Sequence, residues 1–197
     1  MRSFSSILLA LATATSILAL PDTQEQPQIP DLPNGFFGGY NNPDGTSTLH
    51  FLDTNENITF TPTPAPSVPS RAKRAEEYGC WAGTLNRAGT DRAMNLMRER
   101  LSHTPIGVGQ LNDWPAYFGY NENGVYVYAC ENSGGAGNYF YFERSHLDRM
   151  SKMMDDRCGA YVPGYMMDWW WLPTHRELFG KAFSGTAVCQ GNWRARP

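Results

Sequence analysis

The chain has 197 residues and a formal net charge of −3, with 41% hydrophobic and 18% charged residues. This composition supports a folded core and excludes a chain that is disordered throughout. Residues 75–197 carry 12 Lys and Arg against 13 Asp and Glu, interspersed along the sequence. Because they form no basic stripe, we expect no nucleic-acid partner.

The first nineteen residues have the layout of a secretory signal peptide. Arg2 supplies the positive start, residues 7–14 form an apolar run, and Ile17-Leu18-Ala19 ends in the predicted cleavage site. The run is shorter than the roughly 20 apolar residues of a membrane span, and no later segment reaches that length. We therefore predict a secreted, extracellular protein with no transmembrane segment.

Residues 20–74 are predicted to be a pro-segment that ends in a dibasic pair. Lys73-Arg74 separates a Pro- and Thr-rich part without cysteine from a part that holds all four cysteines and all six tryptophans. We predict cleavage after Arg74 by a processing protease of the kexin type, which leaves residues 75–197 as the mature domain. The pro-segment is expected to be largely disordered.

One region of the pro-segment has a local pattern. Aromatic and apolar residues flank Asn42-Pro43-Asp44-Gly45, which is a strong turn sequence. A short hairpin that docks on the mature domain and a solvated spacer both fit residues 35–60. Asn57 begins an N-glycosylation sequon, so we predict a glycoprotein precursor whose glycan leaves with the pro-segment.

The mature part shows the order strand, helix, two or three strands, helix, strand. The predicted strands are 76–85, 115–120, 125–130, 138–143 and 185–190, and the helices begin with Thr90 and Ser145 as capping residues. The apolar faces of the helices are Ala93, Met94, Met97 and Leu101, then Leu147, Met150, Met154 and Cys158. Along residues 125–130, Val and Ala alternate with Tyr and Cys.

These elements predict an α+β fold, an antiparallel sheet of four to five strands with two helices on one face. A split β-α-β-like sandwich is the simplest arrangement that buries both helical stripes.

Four cysteines in an exported domain favour two disulfides over a metal site. We expect no metal and no cofactor. If the first and last strands of the mature domain are neighbours, Cys80 lies near Cys189, which leaves Cys130 for Cys158. This pairing is the favoured one, and the other two connectivities stay open.

Short motifs along most of the chain resemble a group of small secreted fungal proproteins with a dibasic site and a four-cysteine core. They are Pro43-Asp44-Gly45-Thr46, Lys73-Arg74, Gly119-Tyr120, residues 126–130, residues 158–165, Phe179-Gly180 and Ala187-Val188-Cys189. Such proteins are similar in architecture to killer-toxin-like fungal effectors with α/β-sandwich folds. The resemblance implies a secreted, disulfide-bonded protein of the effector or antimicrobial kind, and it supplies no active-site residues.

The most unusual local sequence is Met166 to Pro173, predicted to lie in a loop. Its tryptophans Trp169, Trp170 and Trp171 depart from the pattern of the fungal group. Exposed, they would form a candidate surface that stacks on sugar rings or sits at a membrane interface. The alternative is a lid that packs over one side of the sheet.

Three histidines could take part in acid-base chemistry: His103, His146 and His175. Near His146, the residues Glu143, Arg144 and Asp148 would complete the base, acid and cation that a ribonuclease needs. The alternative is a solvated helix surface, because closeness in sequence does not establish convergence in space. We assign no catalytic residue.

Three hypotheses of function follow. The first is a non-enzymatic interaction protein of effector or toxin-like type that acts on an unknown host or competitor surface. The second is a small secreted hydrolase, ribonuclease-like, built around His146 and Glu143. The third is a carbohydrate- or membrane-surface binder that uses the three tryptophans.

Overall fold

The structure is a computed structural model that describes residues 32–66, 71–73, 76–109, 115–131, 139–169 and 176–189. The described part of the chain begins with five strands: β1 (Gly35–Asn41), β2 (Ser47–Phe51), β3 (Glu56–Phe60), β4 (Arg71–Lys73) and β5 (Glu76–Cys80). Then follow α1 (Arg87–His103), β6 (Ile106–Gly109), β7 (Tyr117–Glu122), β8 (Val125–Glu131), β9 (Tyr139–Phe142), α2 (Arg144–Cys158), β10 (Gly164–Trp169) and β11 (Arg176–Phe183). Within these ranges no helix combines the length and the apolar character that a membrane crossing requires.

Nine strands form one sheet in the order β3-β2-β1-β7-β8-β11-β10-β5-β4, and every neighbouring pair is antiparallel. Strands β6 and β9 form a separate antiparallel pair. The α+β class and the antiparallel sheet are therefore confirmed. The predicted count of four to five strands is wrong, because β1, β2, β3 and β4 come from the predicted pro-segment and β10 from a predicted loop.

Residues 35–60 form ordered strands, so a largely disordered pro-segment is wrong for this part. The turn between β1 and β2 has Gly45 at φ 87°, and the side chain of Asp44 accepts hydrogen bonds from the backbone and hydroxyl of Thr46. The hydroxyl bond of Thr46 is the main reason that the pKa of Asp44 lies below its usual value. The hairpin is integrated into the sheet, because β1 pairs with β7 from Gly35↔Asn121 to Gly39↔Tyr117.

Both helices lie on one face of the sheet, and their predicted apolar faces are buried there, except that Cys158 at the end of α2 is half-buried. The helix ends differ from the prediction. Asn86 caps α1 through its side-chain oxygen, which accepts from Gly89 N at 2.9 Å, so Thr90 lies inside the helix. Helix α2 begins at Arg144 after Glu143, whose side chain makes no capping bond, and Gly159 ends it at φ 105°.

The opposite face of the sheet carries a second core, built largely of aromatic rings. Three rings lie over glycines that are their register partners on adjacent strands: Tyr117 over Gly39, Phe37 over Gly119 and Tyr128 over Gly180. All three rings are buried. Since a glycine has no side chain, each ring packs directly on the neighbouring backbone. Burial raises the pKa of Tyr117 to about 12.

The C-terminal part differs most from the sequence prediction. Met166 and Met167 lie in strand β10, where they enter the helix-side core and the opposite core respectively. A strand that is apolar on both faces shows no alternation of apolar and polar residues, which explains why this segment was predicted to be a loop. The last strand is β11, and the strand predicted at 185–190 is wrong, because residues 184–189 form turns and a single bridge from Thr186 to Thr63.

The favoured disulfide pairing is also wrong. Cys80 is bonded to Cys158 and Cys130 to Cys189, with Cα separations of 5.4 and 6.2 Å. Strand β10 lies between β5 and β11, so the first and last strands are not neighbours. Cys130 belongs to the core on the face opposite the helices, which puts it out of reach of Cys158 at the end of α2.

Candidate functional site

The predicted histidine candidate, His146, lies between α2 and the hairpin of β10 and β11. Its Nδ1 is 3.1 Å from Oε1 of Glu177, and the side chains are 13% and 5% exposed. One turn further along α2, Arg149 forms an ion pair with Asp168. Asp168 and Glu177 are register partners on β10 and β11. Each of the two acidic side chains therefore contacts a nitrogen-bearing side chain of the same helix, and a buried polar group needs such a partner.

The other residues predicted around His146 lie at the surface. Asp148 accepts from Arg98 of α1 at 2.8 Å and lies 3.5 Å from Arg144, which also donates to Ser102. Glu143 is exposed before the first turn of α2. This network joins the ends of the two helices, and solvent screens its charges.

Several predicted residues fall outside the described residues, or their side chains do. Arg74, His175, Trp170 and Trp171 lie outside them, and of Trp169 only the backbone is described, paired with Arg176 at the end of β10. The tryptophan surface and the cleavage site therefore remain predictions.

A cavity of about 620 Å³ opens on the helix side of the sheet, between β1, the end of α1 and the residues of and after β2. We call it the β1–α1 groove. Its floor includes Phe36, Tyr40, His50 and Leu52, and its lining is completed by Gly38, Arg100, His103, Thr104, Pro105, Ile106, Gly107, Pro115 and Phe118. Its volume falls within the usual range of small-molecule sites, about 300–1,000 Å³.

The groove leaves large apolar side chains in contact with water. Tyr40 of β1 is 40% exposed, and Leu52, which directly follows β2, is 45% exposed. They lie beyond the end of α1, which packs over β7 and β8 instead. Exposed apolar residues that converge on a cavity are typical of binding sites.

Apart from the hydroxyls of Tyr40 and Thr104, the polar side chains of the β1–α1 groove are basic. Arg100 lies in the last turn of α1, with its guanidinium carbon 4.6 Å from the ring centre of Phe36. Burial raises the pKa of Tyr120, and the charge of Arg100 partly opposes that shift. Among the described residues, none that lines the groove is acidic, and no carboxylate forms an ion pair with Arg100.

His50 is held in the groove by a neighbouring strand. Its Nδ1 lies 2.8 Å from Oδ1 of Asn57, which is exposed on β3 at the edge of the sheet. When Nδ1 donates to this oxygen, Nε2 remains as the acceptor. The bond uses only the oxygen of Asn57, so its amide nitrogen is left for the predicted glycan.

No protein-family model, curated protein or solved structure matches this chain. The sequence predicted His103 as a candidate but missed His50 and Arg100, because their convergence depends on pairing between β1 and β7. The sequence feature that could have indicated the groove is the pair of apolar residues Tyr40 and Leu52 on either side of the predicted turn. These residues were assigned to a segment that was expected to be largely disordered.

Proposed function

We propose that this chain is a secreted, non-enzymatic interaction protein of the effector or toxin-like type that acts through the β1–α1 groove. The observation that carries the proposal is the groove itself, which is apolar along its floor and basic at the end of α1. Its ligand has one apolar chain and an anionic head group. In this proposal, the surface on which the protein acts presents or releases such an amphipathic anion.

The apolar part of the ligand covers Leu52 and Tyr40. Both side chains lose contact with water when an acyl chain lies on them, which favours binding by about 25 cal/mol per Å² of buried apolar surface. The anionic head lies near Arg100, which forms no ion pair within the part of the chain that the structure describes. A charge-assisted hydrogen bond to Arg then orients the ligand.

The test measures binding by isothermal titration of laurate and of dodecyltrimethylammonium, which share a twelve-carbon chain and differ in charge. We expect laurate to bind and the cation to bind at least about tenfold more weakly, which corresponds to 1.4 kcal/mol. Arg100→Gln should weaken laurate binding about tenfold. The control is Lys152→Gln, which removes an exposed charge on α2 that pairs with Asp156 and should leave binding unchanged.

Equal binding of the two detergents, or an Arg100→Gln variant that binds laurate as the parent does, would contradict the proposal. The titration is run below the critical micelle concentration, so that micelles do not contribute to the heat.

A second candidate function is a ribonuclease-like hydrolase in the same groove. The observation that favours it is that two imidazoles, His50 and His103, and one guanidinium, Arg100, line one cavity. These groups match the base, acid and cation of phosphodiester cleavage. Cleavage of single-stranded RNA by the purified protein, lost in both His50→Gln and His103→Gln, would support this function. Absence of cleavage by the parent protein excludes it.

A further inference from the structure

We infer that cleavage after Arg74 does not release the N-terminal segment. The segment stays bound as a second, non-covalently held chain, so the processed protein is a heterodimer of two pieces of one precursor. The inference rests on the processing site that the sequence predicts, and it is independent of what the groove binds.

Strand β1 is an interior strand of the sheet. It pairs with β2 on one side and with β7 on the other, over five register pairs each. A cut after Arg74 breaks none of these pairs. If the segment left, it would expose the edge of β7 to water, with its row of unpaired backbone groups.

The N-terminal segment also contributes side chains to both cores. Phe36 enters the helix-side core and Phe37 the opposite core, where its ring lies 5.1 Å from that of Tyr126. Leu49 and Phe51 of β2 are 0% and 1% exposed. Each of these side chains would return to water if the segment dissociated.

Polar bonds tie the two ends of the segment to the C-terminal part. At one end, the amide of Asn121 donates to the carbonyls of Leu32 and Pro33 at 2.9 and 2.7 Å. At the other end, Thr63 donates to Gly185 at 2.8 Å and accepts from Ala187 at 2.7 Å. The segment is therefore held along its whole described length.

No covalent bond would join the two chains. All four cysteines follow Arg74 and are bonded among themselves. The strand that precedes the cut, β4, is the last strand of the sheet and pairs only with β5. Cleavage thus alters one edge of the sheet and leaves the centre in place.

The two chains would share the β1–α1 groove. His50 and Leu52 come from the N-terminal chain, and Arg100 and His103 come from the C-terminal chain. The predicted glycan on Asn57 would likewise stay with the processed protein, since Asn57 lies on β3 of the retained segment.

The test cuts the full secreted chain with a protease specific for Lys-Arg pairs and measures the product by native mass spectrometry and size-exclusion chromatography. We expect one particle of unchanged size that contains both pieces in a 1:1 ratio. In denaturant without reductant the pieces should separate. A free 75–197 fragment under native conditions would overturn the inference.

Two variants keep the test decisive. If the dibasic bond resists the protease, a recognition site for an unrelated protease is placed between residues 66 and 71, which keeps β1, β2 and β3 on the N-terminal chain and leaves β4 on the C-terminal chain. Phe37→Ala should increase the released fraction about tenfold or more, whereas Leu52→Ala, an exposed residue of the same segment, should not. Neither readout depends on a ligand, so loss of detergent binding and loss of the two-chain state are distinguishable.

Discussion

A buried amine on β11 illustrates how the charges of this protein are matched residue by residue. The side chain of Lys181 is 2% exposed and forms an ion pair with Asp155 of α2, which is 38% exposed. Lys181 also donates to the carbonyl of Ala160 at 2.6 Å. The cost of removing one partner therefore depends on which charge is left behind, since only Asp155 has access to water.

We expect Asp155→Ala to lower the free energy of unfolding by about 3 kcal/mol, because it leaves a buried, uncompensated ammonium. Lys181→Met should cost less than about 1 kcal/mol, because its aliphatic chain fills the same space and water solvates the freed carboxylate. Urea unfolding midpoints of the two variants measure the difference. A larger loss in Lys181→Met than in Asp155→Ala would contradict this account.

At the scale of the elements, the pairs of aromatic rings and glycines determine how the strands of the second core fit together. In β7, a Cβ atom at position 119 would collide with the backbone of β8 and with the ring of Phe37. In the turn between β1 and β2, a Cβ at position 45 would meet nothing within 4 Å. Substitution of Gly119 therefore tests the effect of a steric collision, whereas substitution of Gly45 tests the effect of an unfavourable backbone conformation.

We expect Gly119→Ala to destabilise the protein by about 3 kcal/mol, the upper part of the usual cost of overpacking. The control, Gly45→Ala, should cost about 1 kcal/mol, because its φ of 87° is unfavourable for alanine. Thermal unfolding followed by circular dichroism compares the two. Equal losses would show that close packing of Phe37 on β7 does not constrain the sheet.

The elements differ in how far the sequence predicted them. Both helices and the two faces of β8 were predicted, because their patterns lie within a few residues; Val127 and Ala129 do enter one core, and Tyr126 and Tyr128 the other. The position of β1 in the sheet was not predicted, because its register with β7 joins residues that are far apart in the chain, from Gly39↔Tyr117 to Gly35↔Asn121. The β1–α1 groove depends on the same pairing, so its residues carried no local signal.

At the scale of the whole molecule, the Lys73-Arg74 boundary divides the sequence but not the fold. The composition changes there, and all cysteines lie on one side. The sheet nevertheless takes four strands, β1 to β4, from the N-terminal side and five from residues 76–183, and both cores include residues of each part. The central claim is that residues 32–66 belong to one cooperative unit with the disulfide-bonded part.

Hydrogen exchange of the intact secreted protein, followed by mass spectrometry of its peptides, tests this claim most directly. Amides of β1, including Phe37 and Gly39, should exchange as slowly as those of β7 and β8, because opening β1 requires opening the centre of the sheet. The exposed turn at Asp44 and Gly45 serves as the internal control and should exchange fast. Exchange of β1 at the rate of that turn, with β7 and β8 still protected, would contradict the account.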